Sequence, residues 1–162
     1  MWDQYDTTNN EHGLIDTKDM AGLGRMNHIL TAINSKIYNK IQEENEYSLI
    51  VMEDFSFASK GASLFQIAGL AYIVRYDLWQ KHIPSLLVPP TVLKKFVTGQ
   101  GNSDKNVMLK EIYKRWSVDL NDDNVGDAYG LTRIGRALLG KDSDLTAFQL
   151  DAMKKLPEVD WP

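Results

Sequence analysis

Cysteine is absent from this chain. Its absence excludes a disulfide framework, thiolate-built metal centres and a cysteine nucleophile, and it is compatible with a reducing compartment. Histidine is scarce: His12, His28 and His82 are scattered without metal-ligand spacing, which argues against a histidine-built zinc site. No apolar run reaches the ~18 residues that a bilayer span requires. The polar start Met1-Trp2-Asp3-Gln4 is unlike a signal peptide. Internal repeats, low-complexity tracts and a dividing linker are lacking as well. The net charge of −4 disfavours indiscriminate nucleic-acid binding but leaves room for local basic patches. What is present, 43% apolar and 25% charged residues, suffices for a packed core. The expectation is one domain over residues 1–162, soluble and cytoplasmic, with no membrane partner.

The pattern along the chain predicts an α/β fold. Residues 2–17 read as a weak hairpin turning at Asn9-Asn10. Met20, Leu23, Met26, Leu30, Ile33, Ile37 and Ile41 recur at helical steps and predict one long amphipathic helix. Tyr47 to Met52 is a short apolar run suited to a strand buried on both faces, hence parallel or central. Residues 62–82 read as a helix largely buried or packed against a partner, and Pro84 to Val88 as a second strand stopped by Pro89-Pro90. Helices are expected over 91–97, over 103–116 with Val107, Met108, Ile112 and Trp116 inward, over 124–139, and over 145–156. Strands alternating with helices favour a sheet domain over a bundle.

Three places could carry chemistry. Glu53 directly follows the first buried strand, and in α/β sheets ligands gather at the carboxyl ends of strands. The bland alternative is a solvated strand end. The second place is Asp122-Asp123-Asn124-Val125-Gly126-Asp127-Ala128, where Asn124 or Asp123 suits a helix N-cap. Many acid-rich helix starts do nothing more. Yet Asp127 can share a helix face with Asp123 or Asn124. Carboxylates converging from a strand end and a helix start suit divalent ions with oxygen ligands, the arrangement used in phosphoryl transfer. The third place is basic: Lys94, Lys95, Lys105, Lys110, Lys114 and Arg115 face only Asp104 and Glu111 across residues 91–116. The Gly99-Gln100-Gly101 loop permits a tight turn, and a helix starting at Ser103 would offer N–H groups to phosphate. A solvated lysine face is the plain alternative, and a polyanion-binding face beside a metal centre is the functional one.

In order and spacing these pieces resemble the RuvC-type Holliday-junction resolvases. Ile50-Val51-Met52-Glu53 followed by Phe55 and Phe57 is similar to that family's strand-and-acid element, and Leu64 to Gly69 to its next helix. The most specific match runs from Val88-Pro89-Pro90 through Lys94-Lys95 and Gly99-Gln100-Gly101 to Lys105. Asp123-Asn124-Val125-Gly126-Asp127-Ala128 resembles the closing motif, especially in phage-type members. Asn124 stands where the family has an acid, so Asp123 would serve instead. The family also opens with an apolar strand that carries its first catalytic Asp and is followed by a glycine turn. No such strand precedes Trp2, and Asp3, Asp6 and Asp16 do not fit it.

The resemblance implies an RNase H-like mixed sheet flanked by helices and lacking its first central strand. It implies a Mg2+-dependent endodeoxyribonuclease, with two ions and Mn2+ as a substitute, cutting four-way or otherwise branched DNA in recombination, repair or phage DNA processing. Glu53, Asp127 and Asp123 would hold the metal. Lys105 would assist catalysis, and Lys94, Lys95, Lys105, Phe55 and Phe57 would contact DNA. A homodimer joined through the 62–82 helix is implied, in the cytoplasm of a bacterial or phage-infected cell. The missing acid leaves two alternatives open: a branched-DNA-binding module without cleavage, or another RNase H-like nuclease, such as one acting on RNA–DNA hybrids.

Overall fold

The structure, a computed structural model, describes residues 14–35, 49–54 and 62–161. Two four-residue strands, β1 (Ile50–Glu53) and β2 (Ser85–Val88), pair in parallel, with Ile50 opposite Ser85 and Glu53 opposite Val88. Parallel neighbours need a crossover, supplied here by α2 (Ala62–Gln80). Side chains alternate between the sheet's faces. Ile50 and Met52 pack against Val74, Leu78 and Ile83, as do Leu30 and Ile33 of α1 (Gly22–Ile33). Leu49 and Val51 pack instead into the larger core on the other face.

That larger core is built by α3 (Pro90–Thr98), α4 (Lys105–Trp116), α5 (Asp123–Leu138) and α6 (Ala147–Met153). Val88, Leu93, Phe96, Val97, Ile112 and Ile134 are all fully buried there. Each such aliphatic or aromatic side chain contributes roughly 1.5–3 kcal/mol by leaving water. The hub is α5. A Cβ on Gly130 would lie 2.8 Å from Leu93 Cδ1 and 2.9 Å from Val97 Cγ2, and one on Gly126 would lie 2.7 Å from Leu109 Cδ2. On Gly135 it would lie 3.0 Å from Val51 Cγ2 of β1. Glycine costs a helix about 1 kcal/mol relative to alanine. Here it admits α3, α4 and β1 to van der Waals contact with one helix.

Two helix starts, those of α4 and α5, are acid-capped. Asp104 accepts from the Val107 N–H at 2.9 Å, and Asp122 accepts from Asn124 N–H at 2.8 Å and Val125 N–H at 3.1 Å. Thr146 and Gln149 form a reciprocal capping box at α6. Across the outer side of β2, Ser85 makes an antiparallel bridge to Asp160, whose carboxylate also meets Arg75 of α2 at 2.7 Å. No helix among the described residues is long and apolar enough to cross a membrane.

Several sequence expectations are shifted. Tyr47 and Ser48 of the expected first strand lie outside the described residues and Leu49 is not strand; the strand described, Ile50–Glu53, is half-buried and includes Glu53, with Asp54 N–H still bonding to Val88 O at 2.9 Å. The first helix is described only from Gly22 to Ile33. Its expected continuation to Ile41 and most of the hairpin lie outside the described residues, and 14–17 are not strand. Val107 is exposed rather than inward, because Met108 and Ile112 take the core face of α4. The α5 cap is Asp122, one residue before the expected pair. Ser103 does not open α4. It is buried, its hydroxyl 2.7 Å from that of Thr98 and donating to Gln100 O at 3.0 Å. The Asp104 carboxylate occupies the N–H end proposed for phosphate, so that cradle is already filled.

Gly130→Ala is expected to destabilise the chain by about 1–3 kcal/mol, the usual cost of overpacking a rigid contact. Gly24→Ala, in α1 with nothing within 4 Å of its added carbon, should stabilise it by roughly 0.5–1 kcal/mol. Urea unfolding of the two variants checks the pair of signs.

Candidate active site

The strand's alternation aims Glu53 to the same face as Val51, and Val51 lies against Gly135 of α5. Asp127 sits eight positions before Gly135, a little over two helical turns nearer the start of α5. The structure thereby brings the two carboxylates into one electrostatic neighbourhood. Burial raises the Glu53 carboxyl above the usual carboxylate range, and the negative charge of Asp127 raises it further. Lys94 and Lys105 act in the opposite direction. Glu53 as a residue is nevertheless open to solvent. Burial likewise raises Asp127, Lys105 and Lys94 partly offset it, and Asp123 adds to it. Five of the residues expected at a site from sequence are therefore gathered by four elements: β1, the middle of α3, and the starts of α4 and α5.

Asp123 and Asp127 lie four apart on one face of α5. Asn124 is exposed and Asp123 is half-buried. However, the Asp123 carboxylate is engaged: Lys105 Nζ donates to its Oδ2 at 2.6 Å. That hydrogen bond, with help from Asp127 and Asp122, raises the Lys105 ammonium above its ordinary value.

The neighbouring lysines of α3 part company. Lys94 is close enough to Glu53 and Asp127 to lower both, whereas Lys95 is bonded to Asp151 of α6. The rest of the basic segment is mostly paired too. Lys114 and Arg115 meet Glu111 at 2.7 and 3.2 Å. Arg115 Nε also donates to Val97 O at 2.9 Å, and its guanidinium lies 4.7 Å from the centre of the Phe148 ring. Arg115 thus fastens the end of α3 to α4 and α6. Phe55 and Phe57 lie outside the described residues. Sequence reasoning missed Asp151 and the structural duty of Arg115. No local signal marks Asp151, which reaches Lys95 from 56 positions away.

Among the described residues no three acid or imidazole side chains form a closed metal cage. The donor set nevertheless suits Mg2+, which takes oxygen ligands and commonly binds through one or two carboxylates, with waters and phosphate oxygens completing its shell. Glu53 and Asp127 are two carboxylates held together at a cost that a divalent cation would relieve.

No protein-family model matches the chain, and no curated protein matches it. Solved structures do. Thermus thermophilus RuvC superposes with a TM-score of 0.58 at 12% identity, covering 78% of this chain and 75% of that one. Thermus thermophilus RuvC in complex with Holliday junction substrate gives 0.59 at 14% identity, covering 82% and 81%. The α/β architecture around this carboxylate pair is RNase H-like. Within that class, the chain has the RuvC-type fold, which is what a likeness at such identity establishes.

A testable consequence concerns stability without metal. A carboxyl whose folded value is raised contributes stability that is full below its unfolded value, near 4, and is lost as pH rises through the folded value. In EDTA the chain should therefore lose stability as pH climbs through the range just above 4. Asp127→Asn and Glu53→Gln should each melt higher than the parent at pH 7, with the difference vanishing near pH 3. Thermal melts at the two pH values check both signs.

Proposed function

We propose that this chain is a metal-dependent endodeoxyribonuclease acting on branched DNA. One observation carries the reading: a RuvC-type fold that gathers Glu53 and Asp127 beside Lys94 and Lys105. The co-solved Holliday junction belongs to the Thermus thermophilus protein, and it supports four-way junction DNA as the substrate class here.

When bound, Mg2+ or Mn2+, two ions by analogy with the fold, would supply Lewis acidity and ease deprotonation of water. Glu53 and Asp127, with Asp123 once released, would hold that charge at the strand end. The Lys94 and Lys105 ammoniums would bind phosphate oxygens and stabilise charge building on them as the P–O bond breaks. Lys95, bonded to Asp151, would reach DNA only by leaving that carboxylate. Phe55 and Phe57, just beyond Glu53 in sequence, are proposed to stack on an unpaired base. The setting proposed is the cytoplasm, in recombination, repair or phage DNA processing.

A homodimer fits this reading, since a two-fold junction offers two equivalent strands. The outer face of α2 supports it. Phe65, Tyr72, Tyr76 and Trp79 are 80, 64, 60 and 52% exposed, at spacings of seven, four and three that align them on one helix face. The 19-residue helix carries only Arg75 and Asp77 as charged residues, so a second copy would meet little like-charge repulsion.

A second reading has its own support: Asp123 is held by Lys105, and no three-acid cage forms among the described residues. On that reading the chain binds branched DNA without cutting it. A gel shift on a four-way junction beside a cleavage assay in Mg2+ and Mn2+ separates the two. Nicks support the enzyme, and tight binding without nicks supports the module.

Glu53→Gln should abolish cleavage, by at least a hundredfold, while junction affinity changes less than about threefold, because one ligand is lost from a broad electrostatic interface. Equal cleavage by the variant would remove Glu53 from the mechanism. For the dimer, Tyr76→Asp with Trp79→Asp should yield folded monomer in sedimentation velocity, since both side chains are exposed and a charge there costs the fold little. A parent chain that sediments as monomer at 100 µM, about the range of weak association, overturns the dimer.

A further inference from the structure

Lys105 and Asp123 play opposing parts in the proposed function, one receiving phosphate and the other metal, yet the structure bonds them to each other. We infer that Lys105 is the resident counter-ion of the carboxylate cluster, competing with a divalent cation for Asp123 and surrendering it when the metal enters. The inference rests on reading Glu53 and Asp127 as metal ligands.

The position of Lys105 is hard to explain otherwise. It is the first residue of α4, where the helix end is positive and a cation is disfavoured. Its side chain is 63% exposed, so it supplies no packing to the core. It bonds to Asp123 at 2.6 Å, and Asp127, Asp122 and Glu53 all feel its charge. Lys94 is the other cation near Glu53 and Asp127, and Asp104, the cap beside Lys105, is turned to the Val107 N–H. Without a metal, the ammonium partly neutralises carboxylates that the fold has pressed together. A divalent ion placed among the same acids would sit within a few ångströms of that ammonium, and like charges repel at that range. Once displaced, the long flexible side chain is at liberty to meet a phosphate. A single lysine would thus stabilise the metal-free site and then become part of the DNA-bound one.

The test measures metal binding in the absence of DNA, on the full chain stripped with EDTA and dialysed. Mn2+ binding is read from the loss of its free EPR signal, and Mg2+ binding from calorimetry. Lys105→Ala should bind Mn2+ about five- to tenfold tighter than the parent, the order expected for removing one ammonium a few ångströms from a divalent ion at the surface. Lys105→Arg keeps the charge and should stay near the parent. Lys110→Ala, an exposed lysine on the same helix, controls for net charge and should also stay near it. In an Asp123→Asn background the gain from Lys105→Ala should shrink, since metal and ammonium would no longer compete for that carboxylate and only the repulsion felt at Glu53 and Asp127 would remain.

Parent-like affinity in Lys105→Ala, or an equal gain in Lys110→Ala, overturns the counter-ion role and leaves the nuclease reading standing. Absence of Mn2+ binding in both parent and Lys105→Ala overturns both. The expected gain in metal affinity with no junction cleavage by the parent supports the counter-ion role and counts against the nuclease.

Discussion

Everything at the candidate site depends on how closely α5 can lie to its neighbours. A helix with ordinary side chains on that surface would stand off from β1, α3 and α4 by the width of a methyl group or more. With Gly126, Gly130 and Gly135 the backbone itself forms the contact surface. Three costs in helix propensity are accepted in one segment, and burial of Leu93, Val97, Ile112 and Ile134 around it offsets them. The carboxylate pair is a by-product of the same geometry. Glu53 and Asp127 come from elements that share no local sequence, and they come within electrostatic range because the strand and helix that bear them pack together.

That proximity works against folding. Two partly desolvated carboxylates on one spot are worse than two apart in water, and Lys94 and Lys105 reduce the penalty without removing it. Sites built for cations commonly show this tension between stability and function. Here the relief is supplied from within the chain by an exposed ammonium, which is easier to displace than a buried one.

Periodicity and punctuation made much of the architecture legible. The apolar run before Glu53, the Pro89-Pro90 stop after β2 and the spacing of Met108 and Ile112 all marked real elements. The acid at the strand end and Asp127 were legible for the same reason, because local chemistry places them at element boundaries. Errors gathered where neighbouring residues compete for one role. Asp122, Asp123 and Asn124 are all capable caps, and only the folded backbone selects the first. The helix expected to start at Ser103 starts instead at Lys105, with Asp104 as its cap on the N–H groups expected to meet phosphate. Long-range pairing was not legible at all. Nothing local distinguishes Lys95 from Lys94, or shows that Arg115 serves a helix end and an aromatic ring instead of a phosphate.

The divergence of Lys94 and Lys95 has a mechanical consequence. Successive residues of a helix point about 100° apart. Lys94 lies toward the carboxylates, and Lys95 is tethered to α6, while Phe148 of α6 lies against Gly99 at the end of α3, 3.6 Å from where a Cβ would stand. Any roll of α3 about its own axis that carried Lys94 away from Glu53 would have to break the Lys95–Asp151 bond and drive the end of the helix against an aromatic ring. The C-terminal helix therefore acts as a torsional key: it touches none of the acids, yet it sets the angle at which one lysine addresses them.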